Sequence, residues 1–205
     1  MSNEADTIIY VVDDDEAILD SLRLLLKSAG LACSTFSNAK DLLEALDPKR
    51  HSCLLADIRM PGMSGLELQA ELNRRGIAIP TIFITGHGDV PMAVKAIKAG
   101  AVDFVQKPFR DDDLLARINE ALNTDLQRIS DRRAAMEVRE KIESLTPRET
   151  EVMRKVVDGC ANKVIAFDLG VSQRTVELHR ARVMHKMGVR SLADLVRMAG
   201  QLDDR

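Results

Sequence analysis

Short apolar segments alternate with amphipathic ones through the first 120 residues, and this alternation limits the folds open to the chain. The apolar segments predict five strands, at residues 7–12, 31–36, 52–57, 80–85 and 102–106. Between them, apolar residues recur every three or four positions, which predicts helices. Strands that alternate with helices form parallel sheets covered on both faces, so the sequence predicts an α/β fold.

Polar side chains follow four of the predicted strands where each strand ends. Asp13 and Asp14 follow the first strand, Asp57 ends the third, Thr85 ends the fourth and Lys107 follows the fifth. Ligands of parallel sheets bind beyond the carboxyl ends of the strands, so we expect these side chains to meet at one edge. Neighbouring carboxylates repel each other unless a positive charge neutralises them, which predicts a bound cation.

A magnesium ion suits such a cluster because it prefers oxygen ligands, keeps several waters and needs only one or two carboxylates. A carboxylate beside the metal can attack a phosphoryl group and form an aspartyl-phosphate. Lys107 and the Thr85 hydroxyl would then stabilise the phosphoryl oxygens. Alternatively, Asp13 to Asp15 only cap the next helix, since carboxylates favour helix N-termini. That alternative leaves Asp57, Thr85 and Lys107 unexplained.

The distribution of charge divides the chain into two parts. Residues 1–124 hold 13 Lys and Arg against 19 Asp and Glu, whereas residues 125–205 hold 16 against 13. This asymmetry favours a regulatory or metal-binding module joined to one that meets a polyanion. The sequence has no long apolar run, no signal-like N-terminus and three scattered cysteines, so we expect a reducing cytoplasm and no membrane.

The residues from 111 to about 145 contain no Pro or Gly and predict a last sheet-covering helix that runs into a helical linker at 125–143. The linker is either an exposed helix or a short dimeric coiled coil, whose seam Arg132 and Arg139 would interrupt. Thr146, Pro147 and Glu149 then predict a capping box that begins another helix.

Residues 162–181 have the layout of a helix–turn–helix motif. We predict that Asn162 caps a helix over 162–169, that Gly170 makes the turn and that Ser172 caps a second helix over 173–187. A further helix follows at 191–199. The second helix is amphipathic with basic residues outward, which suits the major groove of DNA. A basic, solvated face of an ordinary helical bundle is the alternative.

Two sets of side chains are candidates for contact with double-stranded DNA. The residues expected at base edges are Arg174, Glu177, Leu178 and Ala181. The residues expected at phosphates are Lys163, Arg180, Arg182, Lys186 and Arg190. We also place Thr175 among the DNA-binding residues.

Several motifs resemble known families. "VVDDDE", "LLADIRMPGMSGLEL", "IFITGHGD" and "MAVKAIKAGAVDFVQKPF" resemble the receiver domain of bacterial response regulators. "LTPRETEV", "NKVIAFDLGVSQRTVELHRARVMHKM" and "SLADLVRMA" resemble the NarL/LuxR-type four-helix DNA-binding domain. Together they resemble FixJ-type regulators over nearly the whole chain. The resemblance implies a flavodoxin-like receiver (1–124) with strand order 2-1-3-4-5, the linker (125–143) and an all-α LuxR-type domain (144–205).

The receiver resemblance also implies roles for individual residues. Asp57 would be the phosphoacceptor, and Asp13, Asp14, Asp57 and the backbone carbonyl of Arg59 would hold Mg²⁺ (or Mn²⁺). Lys107 would be the receiver lysine, with a cis peptide bond to Pro108.

Thr85 and Phe104 resemble the receiver's switch pair. Phe104 stands where other regulators carry Tyr, so the ring's packing rather than a hydroxyl would respond to phosphorylation.

We therefore predict a cytoplasmic two-component response regulator rather than an enzyme. A sensor histidine kinase would phosphorylate Asp57, and the receivers would dimerise through residues 90–106. The paired C-terminal domains, joined through the last helix, would bind an inverted repeat and activate transcription, with RNA polymerase as a candidate partner. The alternatives are an Mg²⁺-dependent phosphohydrolase and a DNA-binding protein that ignores phosphorylation, although the complete site argues against the latter.

Overall fold

The computed structural model describes residues 7–86 and 90–200. The chain divides between Ile129 and Ser130 into two compact units. The first unit is built from ten elements: β1 (Ile8–Val12), α1 (Glu16–Ser28), β2 (Cys33–Phe36), α2 (Ala39–Ala45), β3 (Ser52–Asp57), α3 (Gly65–Arg74), β4 (Thr81–Thr85), α4 (Val90–Lys98), β5 (Asp103–Gln106) and the start of α5 (Asp111–Glu143). The predicted strands are confirmed, with ends shifted by at most two residues.

All neighbouring strands are parallel and lie in the order β2-β1-β3-β4-β5. The α/β fold and the flavodoxin-like order are therefore confirmed. In the register of the sheet, Val12 of β1 pairs with Ala56 of β3, and Asp57 pairs with Ile84 of β4. The strands consequently end at nearly the same level, which brings the residues after β1 beside the end of β3.

Helices cover both faces of the sheet because the central strands are apolar on both sides. Alternate side chains of β1 and β3 belong to two separate cores. One core includes Tyr10 and Leu54 and is covered by α2, α3 and α4. The other includes Val11 and Leu55 and is covered by α1 and α5. This continuous burial is expected for a parallel sheet.

At the amino end of β3, polar contacts join the sheet to the middle of α5. The Ser52 backbone N–H donates to Asp125 Oδ2 at 3.0 Å, and Arg128 donates to Asp125 Oδ1. His51 Nε2 lies 2.9 Å from the carbonyl oxygen of Leu122. Asp125 is fully buried, so the first residue of the predicted linker belongs by its contacts to the first unit. Helix α5 continues without a break to Glu143.

The described residues of the second unit, 130–200, form four short helices after α5. They are α6 (Pro147–Val157), α7 (Asn162–Leu169), α8 (Gln173–Met187) and α9 (Leu192–Gly200). Each of the four helices contributes to a common core, which includes Val152, Ile165, Val176 and Leu195. Gly170 makes the α7–α8 turn in the left-handed conformation, at φ 64°. The predicted all-α domain with a helix–turn–helix motif is confirmed.

The predicted helix starts agree with the structure in two cases out of three. Thr146 and Glu149 form the expected reciprocal capping box, and Ser172 accepts a hydrogen bond from the Thr175 N–H. The prediction that Asn162 caps α7 is wrong. Ala161 occupies the cap position and makes no side-chain bond, while Asn162 Oδ1 accepts from Arg180 Nη1 at 2.6 Å. A charged donor from α8 has displaced the local cap, because charge-assisted hydrogen bonds are stronger.

None of the helices within residues 7–86 and 90–200 has the length and apolar character that a bilayer span requires.

Glu149 ties the start of α6 to the end of α8, and this contact predicts acid sensitivity of the second unit. Lys186 Nζ lies 2.7 Å from Glu149 Oε2, and the Thr146 N–H donates to the same oxygen at 2.9 Å. Lys186 first, and then Thr146, lower the pKa of Glu149 to about 2. Unfolded Glu titrates near 4.3, so this stabilisation is complete above that pH and is lost as pH falls toward 2.

We expect the α6 and α8 amides of Glu149→Gln to be less protected from hydrogen exchange than those of the wild-type protein at pH 6. This difference in protection should shrink steadily below about pH 4.3. Hydrogen exchange of α6 and α8 peptides in both proteins, compared at matched pH, measures this. An equal difference at pH 6 and pH 3 would contradict the assignment.

Candidate functional site

Three strands bring three of the predicted residues together at the carboxyl edge of the sheet. Asp13 follows β1, Asp57 ends β3 and Lys107 follows β5. Lys107 Nζ lies 2.6 Å from Asp13 Oδ2 and 3.3 Å from Asp57 Oδ1. Asp13 and Asp57 are 3% and 8% exposed. One ammonium group therefore bridges two buried carboxyl groups, and its positive charge offsets part of the cost of burying them.

Asp57 lies in an environment of opposing electrostatic effects. Burial is the largest of them and raises the pKa of Asp57 above its usual value. The Arg59 backbone N–H, which donates to Asp57 Oδ2 at 2.6 Å, and the charge of Lys107 act in the opposite direction. Asp13 adds a smaller raising effect. The carboxylate is thus only partly compensated, which favours the arrival of further positive charge.

The run of three carboxylates after β1 divides into different roles. Asp15 is the N-cap of α1, since its Oδ1 accepts from the Ala17 N–H at 2.9 Å. The capping alternative therefore holds for Asp15. Asp13 instead turns inward to Lys107, and its Oδ1 accepts from the Asp15 N–H at 3.0 Å. Asp14 is exposed at the rim.

The oxygen atoms of this edge fit a hard divalent cation. Across residues 7–86 and 90–200, no three His, Cys, Asp or Glu side chains form a complete metal-binding group. Mg²⁺ does not need one, because it retains waters and binds through one or two carboxylates. One oxygen of Asp13 and one of Asp57 face the same Lys107 ammonium, so the two carboxyl groups point toward a common position.

The predicted switch residues lie beside this cluster. Thr85 ends β4 and is 1% exposed, and its carbonyl accepts from the Lys107 N–H at 2.9 Å. Phe104 pairs with Phe83 in the register of β4 and β5 and packs partly buried against the core under α4. The expected cis peptide bond between Lys107 and Pro108 is present.

Gly65 is a site residue that the sequence reasoning missed. Its N–H donates to the Ile58 carbonyl at 3.0 Å, so α3 begins against the backbone of the Asp57 loop. A Cβ at this position would lie 2.2 Å from the Asp57 carbonyl oxygen and 2.9 Å from Phe83 Cε1. Glycine directly after the capping Ser64 was the available signal, since a helix-unfavourable residue in the first turn suggests a close approach.

We expect Gly65→Ala to lower the free energy of unfolding of the first unit by about 3 kcal/mol, because the added carbon would clash with rigid backbone. Urea denaturation followed by circular dichroism measures the loss. Gly86→Ala is the matched control, since a Cβ at Gly86 meets nothing within 4 Å. Equal stabilities of the two variants would contradict this account.

Helix α8 presents the second candidate site. Val176, Val183 and Met187 are buried in the core of the second unit. On the outward side lies a groove of about 520 Å³. It is lined by Ser172, Arg174, Thr175, Glu177 and Leu178.

The predicted DNA-binding residues differ in how freely they can reach a ligand. The exposed ones are Lys163, Arg174, Glu177, Leu178, Ala181, Arg182 and Arg190. Thr175 is half-buried, with its hydroxyl 2.8 Å from Ser172 Oγ. Arg180 is bound to Asn162, and Lys186 is bound to Glu149 and to the Ser144 carbonyl. Arg180 and Lys186 therefore already have partners inside the protein.

Family models match both units. The model described as "Response regulator receiver domain" matches residues 9–119, and "Bacterial regulatory proteins, luxR family" matches residues 143–199. The chain belongs to the response regulators that carry a LuxR-type DNA-binding domain. The predicted family is therefore confirmed.

Similar proteins match this chain over most of their length. The response regulator protein TodT of Pseudomonas putida is 47% identical over 204 residues, covering 100% of this chain and 89% of TodT. The transcriptional regulatory protein FixJ of Azorhizobium caulinodans is 48% identical, covering 93% and 90%. The solved structure of the response regulator StyR is 43% identical, with a TM-score of 0.85 over 96% of this chain and 99% of StyR.

This architecture defines the activity of the chain. It is a phosphorylation-regulated transcriptional regulator, not an enzyme, so the phosphohydrolase alternative is rejected. The receiver implies a histidine kinase partner, and receiver phosphorylation generally depends on Mg²⁺. The LuxR-type domain implies DNA binding.

Proposed function

We propose that Asp57 accepts a phosphoryl group from a sensor histidine kinase and that the resulting receiver dimer binds DNA. The observation that carries the proposal is the bridge from Lys107 to the buried carboxylates of Asp13 and Asp57. Such a bridge at the carboxyl edge of a parallel sheet has the charge balance that in-line phosphoryl transfer requires. We further propose domain limits of 1–124, 125–143 and 144–205. The family matches at 9–119 and 143–199 support two domains joined by a linker, whose first residue, Asp125, packs against the receiver.

Each residue at the carboxyl edge of the sheet would have a distinct role in phosphoryl transfer. An Asp57 oxygen forms the new bond to phosphorus while the bond to the donor histidine nitrogen breaks, and that nitrogen keeps the electron pair. Lys107 neutralises charge on the phosphoryl oxygens and Thr85 donates its hydroxyl to one of them. Asp13, Asp14, Asp57 and the Arg59 carbonyl would hold Mg²⁺. When bound, the cation supplies further neutralisation of the equatorial oxygens.

The switch would act through the surface of α4 and β5. Drawing the Thr85 hydroxyl toward the phosphoryl group vacates space that the Phe104 ring can enter, and this repacks the 90–106 surface. Three apolar side chains are already exposed there. Val94, Ile97 and Val102 are 45%, 50% and 41% exposed. They supply the apolar core that a dimer interface needs.

Dimerisation would convert two weak DNA-binding units into one strong binder, because the second half-site becomes effectively intramolecular. Leu192 and Val196 of α9 are 43% and 41% exposed, which supports pairing through this helix on an inverted repeat. We propose that the bound dimer activates transcription in the cytoplasm, with RNA polymerase as a further partner.

Asp57→Asn tests the phosphoacceptor. We expect acetyl phosphate with Mg²⁺ to add about 80 Da to the wild-type chain, and to add nothing to the variant, because the amide is not a nucleophile. Intact-mass spectrometry measures the addition. Equal labelling of both proteins would show that a residue other than Asp57 is phosphorylated.

Ile97→Asp tests the dimer surface separately from phosphorylation. We expect the variant to gain the phosphoryl mass yet remain monomeric by light scattering, since a charge would be buried in the interface. Leu24→Asp is the matched control, because Leu24 is 70% exposed on α1, which covers the opposite face of the sheet from α4. Dimerisation of phosphorylated Ile97→Asp at wild-type concentrations would disprove this surface.

A further inference from the structure

Glu177 is a carboxylate on the basic, outward side of α8. It is exposed and lines the groove that also contains Arg174 and Leu178. Residues 144–200 contain five other acidic side chains, and all of them except Asp158 make an ion pair: Glu149, Glu151, Asp168 and Asp194. Glu177 makes no hydrogen bond or ion pair with the part of the chain that the structure describes.

Two arginines of α8 lie three residues from Glu177, Arg174 before it and Arg180 after it, and neither forms an ion pair with it in the described part of the chain. Arg180 lies three residues further along α8, at the spacing where helical ion pairs form. Its guanidinium instead donates to Asn162 Oδ1 on α7 at 2.6 Å. The first residue of α7 therefore holds Arg180 and leaves the Glu177 carboxylate available to a ligand.

An unpaired carboxylate on a DNA-facing helix weakens binding to any sequence, because the phosphates repel it. The repulsion is offset only where a base edge donates a hydrogen bond. In the major groove, cytosine presents the N4 amino donor, whereas guanine and thymine present acceptors there. Adenine presents an amino group beside the N7 acceptor, which also repels a carboxylate. Cytosine is consequently the base that best accommodates Glu177.

We propose that Glu177 selects cytosine in each half-site by accepting from its N4 amino group and by rejecting acceptor edges, and that Asn162 is the positioning residue that keeps Arg180 away. The inference rests on the proposed placement of α8 in the major groove. Glu177 thereby contributes more to specificity than to affinity, since part of its effect is repulsion from other sequences.

Selection from a random duplex library by the full chain, treated with acetyl phosphate and Mg²⁺, tests the proposal. We expect the wild-type protein to enrich sites with a cytosine at one position in each half-site. Replacing that cytosine should weaken binding at least about fivefold. Glu177→Ala should lose this preference and bind random DNA more tightly. Glu177→Gln should shift the preference to adenine, whose N6 and N7 match an amide.

Two further variants separate the parts of the proposal. Asn162→Ala frees Arg180 to pair with Glu177 and should weaken the cytosine preference, whereas Asn162→Asp retains the acceptor and should keep it. Arg174→Ala should lower affinity for selected sites but preserve the cytosine preference. Unchanged base preferences in Glu177→Ala and Glu177→Gln would overturn the inference while leaving DNA binding intact. Failure of the wild-type protein to enrich any sequence would overturn the DNA-binding proposal together with it.

Discussion

The contact of one lysine with two buried carboxylates is the interaction on which the receiver site depends. Asp13 and Asp57 are held at the ends of adjacent strands by the register of β1 and β3, and the Lys107 ammonium bridges their carboxyl groups. Burial makes the charges of these groups costly, and the opposite charge of Lys107 offsets that cost. A site balanced in this way responds to any added charge, so a phosphoryl group and a cation would both disturb it.

Charge pairing also organises the DNA-binding unit. Lys186 binds Glu149 and joins the end of α8 to the start of α6, while Asn162 binds Arg180 and joins α7 to the middle of α8. These contacts fix the rotation of α8 about its axis, because each partner lies on a different neighbouring helix. The cations that remain exposed on α8, Arg174 and Arg182, are then free for an external polyanion.

The two ends of β3 meet different polar partners, and both ends tie the sheet to its surroundings. Asp57 meets Lys107 at the carboxyl end, and Ser52 meets the buried Asp125 of α5 at the other. Ser52 and Asp57 are the first and last residues of a six-residue strand that is buried along its whole length. Only the contact between Asp57 and Lys107 was predicted from the polar residues at the strand ends. Asp125 appeared in the sequence as one more charge in a helical linker.

The sequence by itself determined the elements, their order and the edge at which the chemistry would lie, because hydrophobic period, capping residues and strand ends are read from neighbours in the chain. It also determined Thr146 and Ser172 as helix caps. Only the tertiary structure decided that Asn162 would bind Arg180 instead of capping α7, that Lys186 would bind Glu149, and that Gly65 must lack a side chain. In each case a polar or steric partner came from a distant segment, and competition among partners is settled only when folding brings them within contact distance.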